Sequence, residues 1–177
     1  MHVLYKNYNM ALELDKKDLA ILALMQKNCR MPVREIAKKI GSPITTVFAK
    51  IKRMEQQKII KEYKAILDSK KLNLNTTAFI LASFSYRNGE TPLSQRVIAE
   101  QIAKFPEVQE VHIISGDWDI LIKVRGKDVD AIGNFVVDKL RTVKGIEKTL
   151  TCLVFDTRKE TTEMVLPLNK HLLRKIQ

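Results

Sequence analysis

VREIAKKIGSPITTVFAKIKRMEQQKIIKEY, residues 33–63, holds two short helical patterns that meet at Gly41-Ser42-Pro43. In the first, Val33, Ile36, Ala37 and Ile40 recur at i, i+3, i+4 and i+7, which makes one apolar stripe of a short helix. Gly41 supplies the positive φ that stops a helix, and Pro43 suits the start of the next one. In the second pattern Val47, Ile51, Met54 and Lys58 share a face, with Phe48 widening it. Thr45, Thr46, Lys50, Lys52 and Arg53 take the remaining positions. Two helices across a tight turn, the second carrying short polar residues and then cations, make a helix-turn-helix layout. That layout lets the front of the second helix enter a DNA major groove. A threonine there is short enough to touch a thymine methyl or bond a base edge. Lys50, Lys52 and Arg53 would reach base edges or backbone, and Arg30, Arg34, Lys38 and Lys39 would meet phosphates. An amphipathic surface helix with a solvated cationic face would look the same from this stretch alone.

The charge around it is uneven. Of a net +11, residues 1–75 hold 16 Lys and Arg against 7 Asp and Glu, whereas residues 76–177 hold 15 against 13. Such asymmetry points to a polyanion-binding half and a half with another task. No apolar run approaches the ~20 residues that span a bilayer. The start, MHVLYKNYNMALEL, interrupts its apolar residues with Lys6, Asn7 and Asn9, unlike a signal peptide. The expectation is a cytoplasmic protein without a membrane role. Cys29 and Cys152 lie far apart with no CxxC or Cys/His cluster. A disulfide framework and a metal site are not expected, and buried, inert thiols are. No cofactor motif is visible.

Taken in order, residues 1–11 have no usable period. Asp15 caps a helix from about Lys16 to Lys27, with Asp18 at its third position and Leu19, Ile21, Leu22 and Met25 on the buried face. After Lys58, IIKEYKAILD loosely alternates, as short wing or connecting strands would. SKKLNLN, residues 69–75, is polar and aperiodic and makes the domain boundary. Thr76–Tyr86 then reads as a strand without a strongly polar face, which suggests a sheet covered on both sides. Thr91-Pro92 caps a helix bearing Leu93, Val97, Ile98, Ile102 and Phe105. Val108–Ser115 and Trp118–Val124 are strands around Gly116-Asp117. Asp128 opens a helix with Val129, Ile132, Val136 and Leu140, and Ile146–Asp156 is the last strand. The order β-α-β-β-α-β is the ferredoxin-like arrangement. Its uncovered sheet face fits the same face of a second chain, giving a two-fold dimer.

The expected organisation is therefore α+β. A helix-turn-helix domain with its N-terminal tail spans 1–62 and a connecting strand spans 63–75. A ferredoxin-like dimerisation and ligand-binding domain spans 76–160, and a basic extension spans 161–177.

LDKKDLAIL (14–22), REIAKKIG (34–41), TTVFAKIKRMEQQKIIKEYKAILD (45–68), SGDWDILIKV (115–124) and TLTCLVFDTRKETTEMVLPL (149–168) together resemble the leucine-responsive regulator/AsnC, or feast/famine, family of transcription regulators. The resemblance runs from about Leu14 to Leu168. It implies a DNA-binding domain of the winged helix-turn-helix kind and a second domain that dimerises, often assembles to octamers, and binds small effectors, usually amino acids. By position it puts Gly116, Asp117, Trp118 and Asp119 at the effector site, joined by Thr149 and Thr151. The same segment also fits a plain hairpin turn, with Asp119 stabilising the turn and Trp118 at an interface. Three residues depart from the family pattern: Pro43 at a usual serine, Lys50 at a frequent arginine, and Lys58 at a usual glycine.

Two other functions fit parts of the chain. One is an architectural DNA-binding protein without an effector. The other is an enzyme, since siroheme decarboxylases share this fold and carry a histidine- and arginine-rich stretch in the second half. Here residues 111–124 hold His112 alone and no arginine.

Overall fold

Residues 14–85, 87–88 and 91–168 are described by a computed structural model, in which they divide into two units. One holds the chain up to Ala65 and again from Thr161; the other holds Ile66–Glu160. The expectations for residues 1–11 and for the basic end beyond Leu168 lie outside the described residues.

In the first unit, α1 (Lys16–Lys27), α2 (Val33–Ile40) and α3 (Ile44–Gln56) surround one core of Ala20, Ile21, Leu24, Ile36, Ala37, Ile40, Val47, Ile51 and Met54. The inward face of α1 is therefore carried by Ala20, Ile21 and Leu24, with Leu22 and Met25 only partly buried. This differs from the expected Leu19-centred face because alanines can lie where helices approach closely. Phe48 does not widen the core: it is 53% exposed. Both turn helices end the same way. Gly41 stands at φ 63, with Gly41 N–H donating to Lys38 O and Ser42 N–H to Ala37 O. Lys58 stands at φ 57, with Lys58 N–H donating to Glu55 O and Ile59 N–H to Met54 O. These are paired Schellman closures that favour glycine at the left-handed position, and the second places a lysine there. Ile59 and Ile60 then pack on the core. Wing strands do not follow, because Lys61–Asp68 forms no ladder among the described residues, and a strand needs a partner edge.

What fixes α3 on α1 is a carboxylate. Asp15 and Asp18 form a reciprocal capping box, each side chain accepting the other's backbone N–H, at 2.8 and 2.9 Å. Asp18 is fully buried, and it also accepts from Lys50 Nζ at 3.1 Å and from an Arg53 terminal nitrogen at 2.7 Å. Lys50 Nζ reaches Asp15 as well, at 2.6 Å, and its side chain is only 16% exposed. The Lys50 hydrogen bond, with help from backbone N–H groups, holds the Asp15 carboxyl at about 2 against burial. Burial opposes the charge on Lys50, yet its bonds to Asp15 and Asp18 raise it overall.

The second unit is a four-stranded antiparallel sheet ordered β4-β5-β1-β6, from β1 (Thr76–Phe84), β4 (Val108–Ile113), β5 (Ile120–Gly126) and β6 (Ile146–Leu153). A short hairpin pairs β2 (Arg87–Asn88) with β3 (Thr91–Pro92). Thr91 and Pro92 thus belong to a strand pair instead of opening a helix; proline tolerates such short edge positions. Ser94 precedes α4 (Gln95–Ile102) without a side-chain cap. Asp128 does cap α5 (Val129–Asn134), accepting from Ala131 N–H at 2.8 Å. That helix continues through a π turn, Phe135–Lys139, and a 3₁₀ turn, Leu140–Thr142.

The alternation of β1 decides what the helices cover. Ala78, Ile80, Ala82 and Phe84 join Ile120, Ile122 and Val124 beneath Ile98, Ile102, Ile132, Phe135, Val136 and Leu140. Burying a side chain such as Phe135 stabilises by about 1.5–3 kcal/mol. Phe105 meets its ring edge-on, with centroids 5.7 Å apart. Gly145, at φ 99, closes against Phe84; a Cβ there would stand 2.9 Å from the ring.

Three outcomes follow. Lys58→Gly raises the unfolding free energy by up to ~1 kcal/mol in a urea titration, because glycine relieves the left-handed strain. Asp18→Ala costs about 3 kcal/mol, leaving the half-buried Lys50 and the partly exposed Arg53 short of a partner, whereas the cost of Asp18→Ala with Lys50→Met together falls below the sum of the two. The folded-state depression of Asp15 below 3.8 contributes stability present above that value and lost as pH falls toward about 2. Unfolding followed from pH 5 to pH 2 should show a shallower loss in Asp15→Asn than in the wild type.

Candidate functional site

On the first unit, the outward surface of α3 is set by what its inward side uses. Val47, Ile51 and Met54 enter the core, and Lys50 and Arg53 turn to Asp15 and Asp18. Lys50 and Arg53 were expected at DNA. The structure places Lys50 inside the α1–α3 contact, and Arg53 keeps a partly exposed head with its Nε buried and unpaired. The interhelical carboxylates lie 32 or 35 residues upstream, a separation at which nothing local announces the pairing.

The outward strip holds Thr45, exposed, and Thr46, half-buried, followed by Lys52, whose side chain is 58% exposed. Among the described residues the one ion-pair contact of Lys52 is a long one, with Glu55 at 3.9 Å. Arg30, Arg34 and Lys38 are exposed and Lys39 half-buried; among the described residues none of the four has an ion-pair partner. Arg34 and Lys38 border an open groove of about 910 Å³, whose floor includes Pro32, Ala37, Pro43 and Ile44. α3 starts at Ile44 after Pro43 with no side-chain cap, so its first N–H groups stay available. Cys29 and Cys152 are exposed, not buried.

In the second unit the turn between β4 and β5 is held by Asp119. Its carboxylate accepts Phe84 N–H at 2.8 Å, and its own N–H donates to Ala82 O at 3.1 Å. Its carbonyl accepts from Ile114 N–H at 2.9 Å and from Gln95 Nε2 at 3.2 Å. Asp119 therefore joins the end of β1, the turn and the start of α4. Gly116 and Asp117 are exposed, Gly116 at φ 116 with open space around its Cα, and Trp118 is half-buried. Thr149 lies opposite Ala82 and so at the level of Asp119; Thr151 lies opposite Ile80, two residues along. The structure brings Asp119 and Thr149 to one end of the sheet, and sets Thr151 about 7 Å further down the strand.

The other face of the sheet carries cross-strand rows. Glu110, Lys123, Phe79 and Cys152 form one; His112, Leu121, Leu81 and Leu150 form the next. Lys123, nearly buried, pairs with Glu110 at 3.0 Å and with Glu160, while Arg125 pairs with Glu160 at 3.1 Å. The Lys123 bonds hold both glutamates below the ordinary carboxylate range. Burial opposes the charge on Lys123, but Glu160 and Glu110 raise it overall. This network was not foreseen; the β-strand period puts Lys123 on that face, but only the returning chain supplies Glu160. Among the described residues, no three His, Cys, Asp or Glu are placed to hold a metal, and no helix is long and apolar enough to cross a membrane.

Known proteins match both units. Residues 14–61 fit a winged helix-turn-helix DNA-binding model, and residues 77–164 fit the Lrp/AsnC ligand binding domain. An HTH-type transcriptional regulator of Pyrococcus abyssi is 46% identical over 151 residues, 85% of this chain and 99% of that protein. The transcriptional regulator AzlB of Bacillus subtilis is 34% identical over 88% of this chain and 97% of its own length. Among solved structures, a transcriptional regulator of Neisseria meningitidis in complex with L-Met superposes with a TM-score of 0.80 at 27% identity, covering 87% of this chain and 97% of that one. The chain belongs to the Lrp/AsnC family, and is a DNA-binding transcription regulator rather than an enzyme.

Proposed function

We propose that the chain is an effector-modulated, sequence-specific regulator that works as a dimer. The observation that carries this reading is the division of α3: its apolar stripe and two of its cations face inward, leaving Thr45, Thr46 and Lys52 outward. Arg30, Arg34, Lys38 and Lys39 supply phosphate contacts around them. Arg53 contributes through its exposed head, and Lys50 acts by orienting α3. Two such helices in a two-fold dimer would meet half-sites about 34 Å, or a multiple, apart. The uncovered sheet face supports the dimer: Phe79, Leu150 and Cys152 are exposed on it, and so is Phe155 just beyond β6.

For the effector, the Gly116–Asp119 turn with Thr149 and Thr151 is the proposed site, and an amino acid is the proposed class. Support comes from the Neisseria meningitidis relative, which was solved with L-Met. Exposed backbone at Gly116 suits an α-carboxylate, Asp117 suits an α-amino group, and Asp119 positions the turn. An effector bound there changes DNA affinity only as far as it binds two assembly states unequally.

Retention of genomic fragments against random competitor, over a salt gradient, tests the regulator. A few fragments should survive competition, with log K falling by about 0.9 per neutralised phosphate for each unit of log salt. Equal retention of all fragments would instead favour an architectural protein. Lys52→Ala should weaken all fragments alike and reduce the slope by about 1, while Lys50→Ala should chiefly lower the melting temperature. With a retained fragment in hand, Gly116→Val, strained at φ 116, should abolish the response to an amino-acid panel and spare binding without effector. A variant that responds normally would remove the turn from the site.

A further inference from the structure

α3 carries a strip used by neither its core nor its ion pairs. Ile44, Phe48 and Lys52 follow one another at four-residue spacing, so they line one side of the helix. Ile44 is 50% and Phe48 53% exposed, while Val47 and Met54 on the neighbouring stripe are fully buried. Lys52 Nζ lies over the Phe48 ring, 5.9 Å from its centroid. A phenylalanine left in water gains little by folding; its apolar area becomes favourable when a partner excludes the water. The partner must also suit the surroundings, which are Thr45 and Lys52 on the helix and, in the groove that Ile44 lines, Arg34 and Lys38, neither of them ion-paired among the described residues. Their charge selects a polyanion over an apolar protein surface. A DNA major groove combines phosphates at its walls with a single apolar group on its floor, the thymine C5-methyl.

We propose that Phe48 is a specificity-determining residue that reads thymine. Its ring edge packs on C5-methyl groups in the major groove. Ile44, one turn nearer the helix start, extends the apolar contact, and Lys52 steadies the ring face while its ammonium faces the backbone. The inference rests on α3 being the helix that enters the groove, and it makes sequence preference depend on a side chain with no hydrogen-bonding atom.

The test uses the full chain and a duplex that it selects from a random pool. Each thymine is replaced in turn by deoxyuridine, which deletes the methyl and keeps the pairing. One or two positions should lose about 3- to 5-fold in affinity, the worth of one buried methyl. Phe48→Ala should bind the unsubstituted duplex about tenfold more weakly, with an unchanged salt slope, and should be indifferent to deoxyuridine at those same positions. Phe48→Leu, which keeps an apolar side chain, should retain part of both effects and guards against a folding defect in the alanine variant. If the wild type selects a sequence but no deoxyuridine matters, or if both variants keep the wild-type pattern, Phe48 does not read thymine although α3 still binds. If the wild type selects no sequence at all, the regulator reading falls and this inference with it.

Discussion

Asp18 is the residue on which the DNA-binding unit depends. A carboxylate without solvent must be fully satisfied, or its desolvation is uncompensated. Here one group closes the first turn of α1 and receives Lys50 and Arg53 from α3. A charged network of this kind is poor evidence for extra stability, because an apolar replacement can match it. What it does supply is direction: the rotation of α3 about its own axis is set by where its cations must go. That rotation in turn decides which residues remain outside.

The second unit solves its packing by different means. Small residues at Ala78 and Ala82 alternate with Ile80 on the helix-covered face of β1, letting α4 and α5 lie close. The opposite face keeps both apolar residues and an ion network, a composition suited to a surface that meets another surface instead of water. Asp119 shows how little local structure a turn needs when one side chain and one backbone unit bond to three different elements.

Much of this was legible in the residues. The Asp15 cap with Asp18 at the third position, the stripe Ile36-Ala37-Ile40 and the β-α-β-β-α-β order all follow from local chemistry or short periods, whereas the left-handed Lys58 was marked only by the family's usual glycine. The illegible parts share one cause: they depend on partners remote in sequence. Lys50 looked like a groove residue because its acids lie in another helix. Phe48 sits one residue from Val47, close enough to the apolar stripe that only the docked position of α3 decides its exposure. The strands expected after Lys58 had the right residues but no edge to pair with, and Thr91-Pro92 matched a helix start until a hairpin claimed it. At the proposed effector turn, periodicity placed Gly116 and Asp117 correctly in a loop. The plain-turn reading of the same segment, with Asp119 stabilising the turn, is the one that its hydrogen bonds match.

The chain also leaves its second unit and goes back to the first. From Thr161 it belongs with the helices again: Met164 exchanges two hydrogen bonds with the Gln26 side chain, at 2.7 and 3.1 Å, and Leu166 and Leu168 pack on their core. The sheet unit is thus an insertion within the helical one, entered at Ile66 and left at Glu160. A domain tethered at one end can be cut away without touching its neighbour; one tethered at both cannot. Removing residues 161–168 would strip packing from the DNA-binding core.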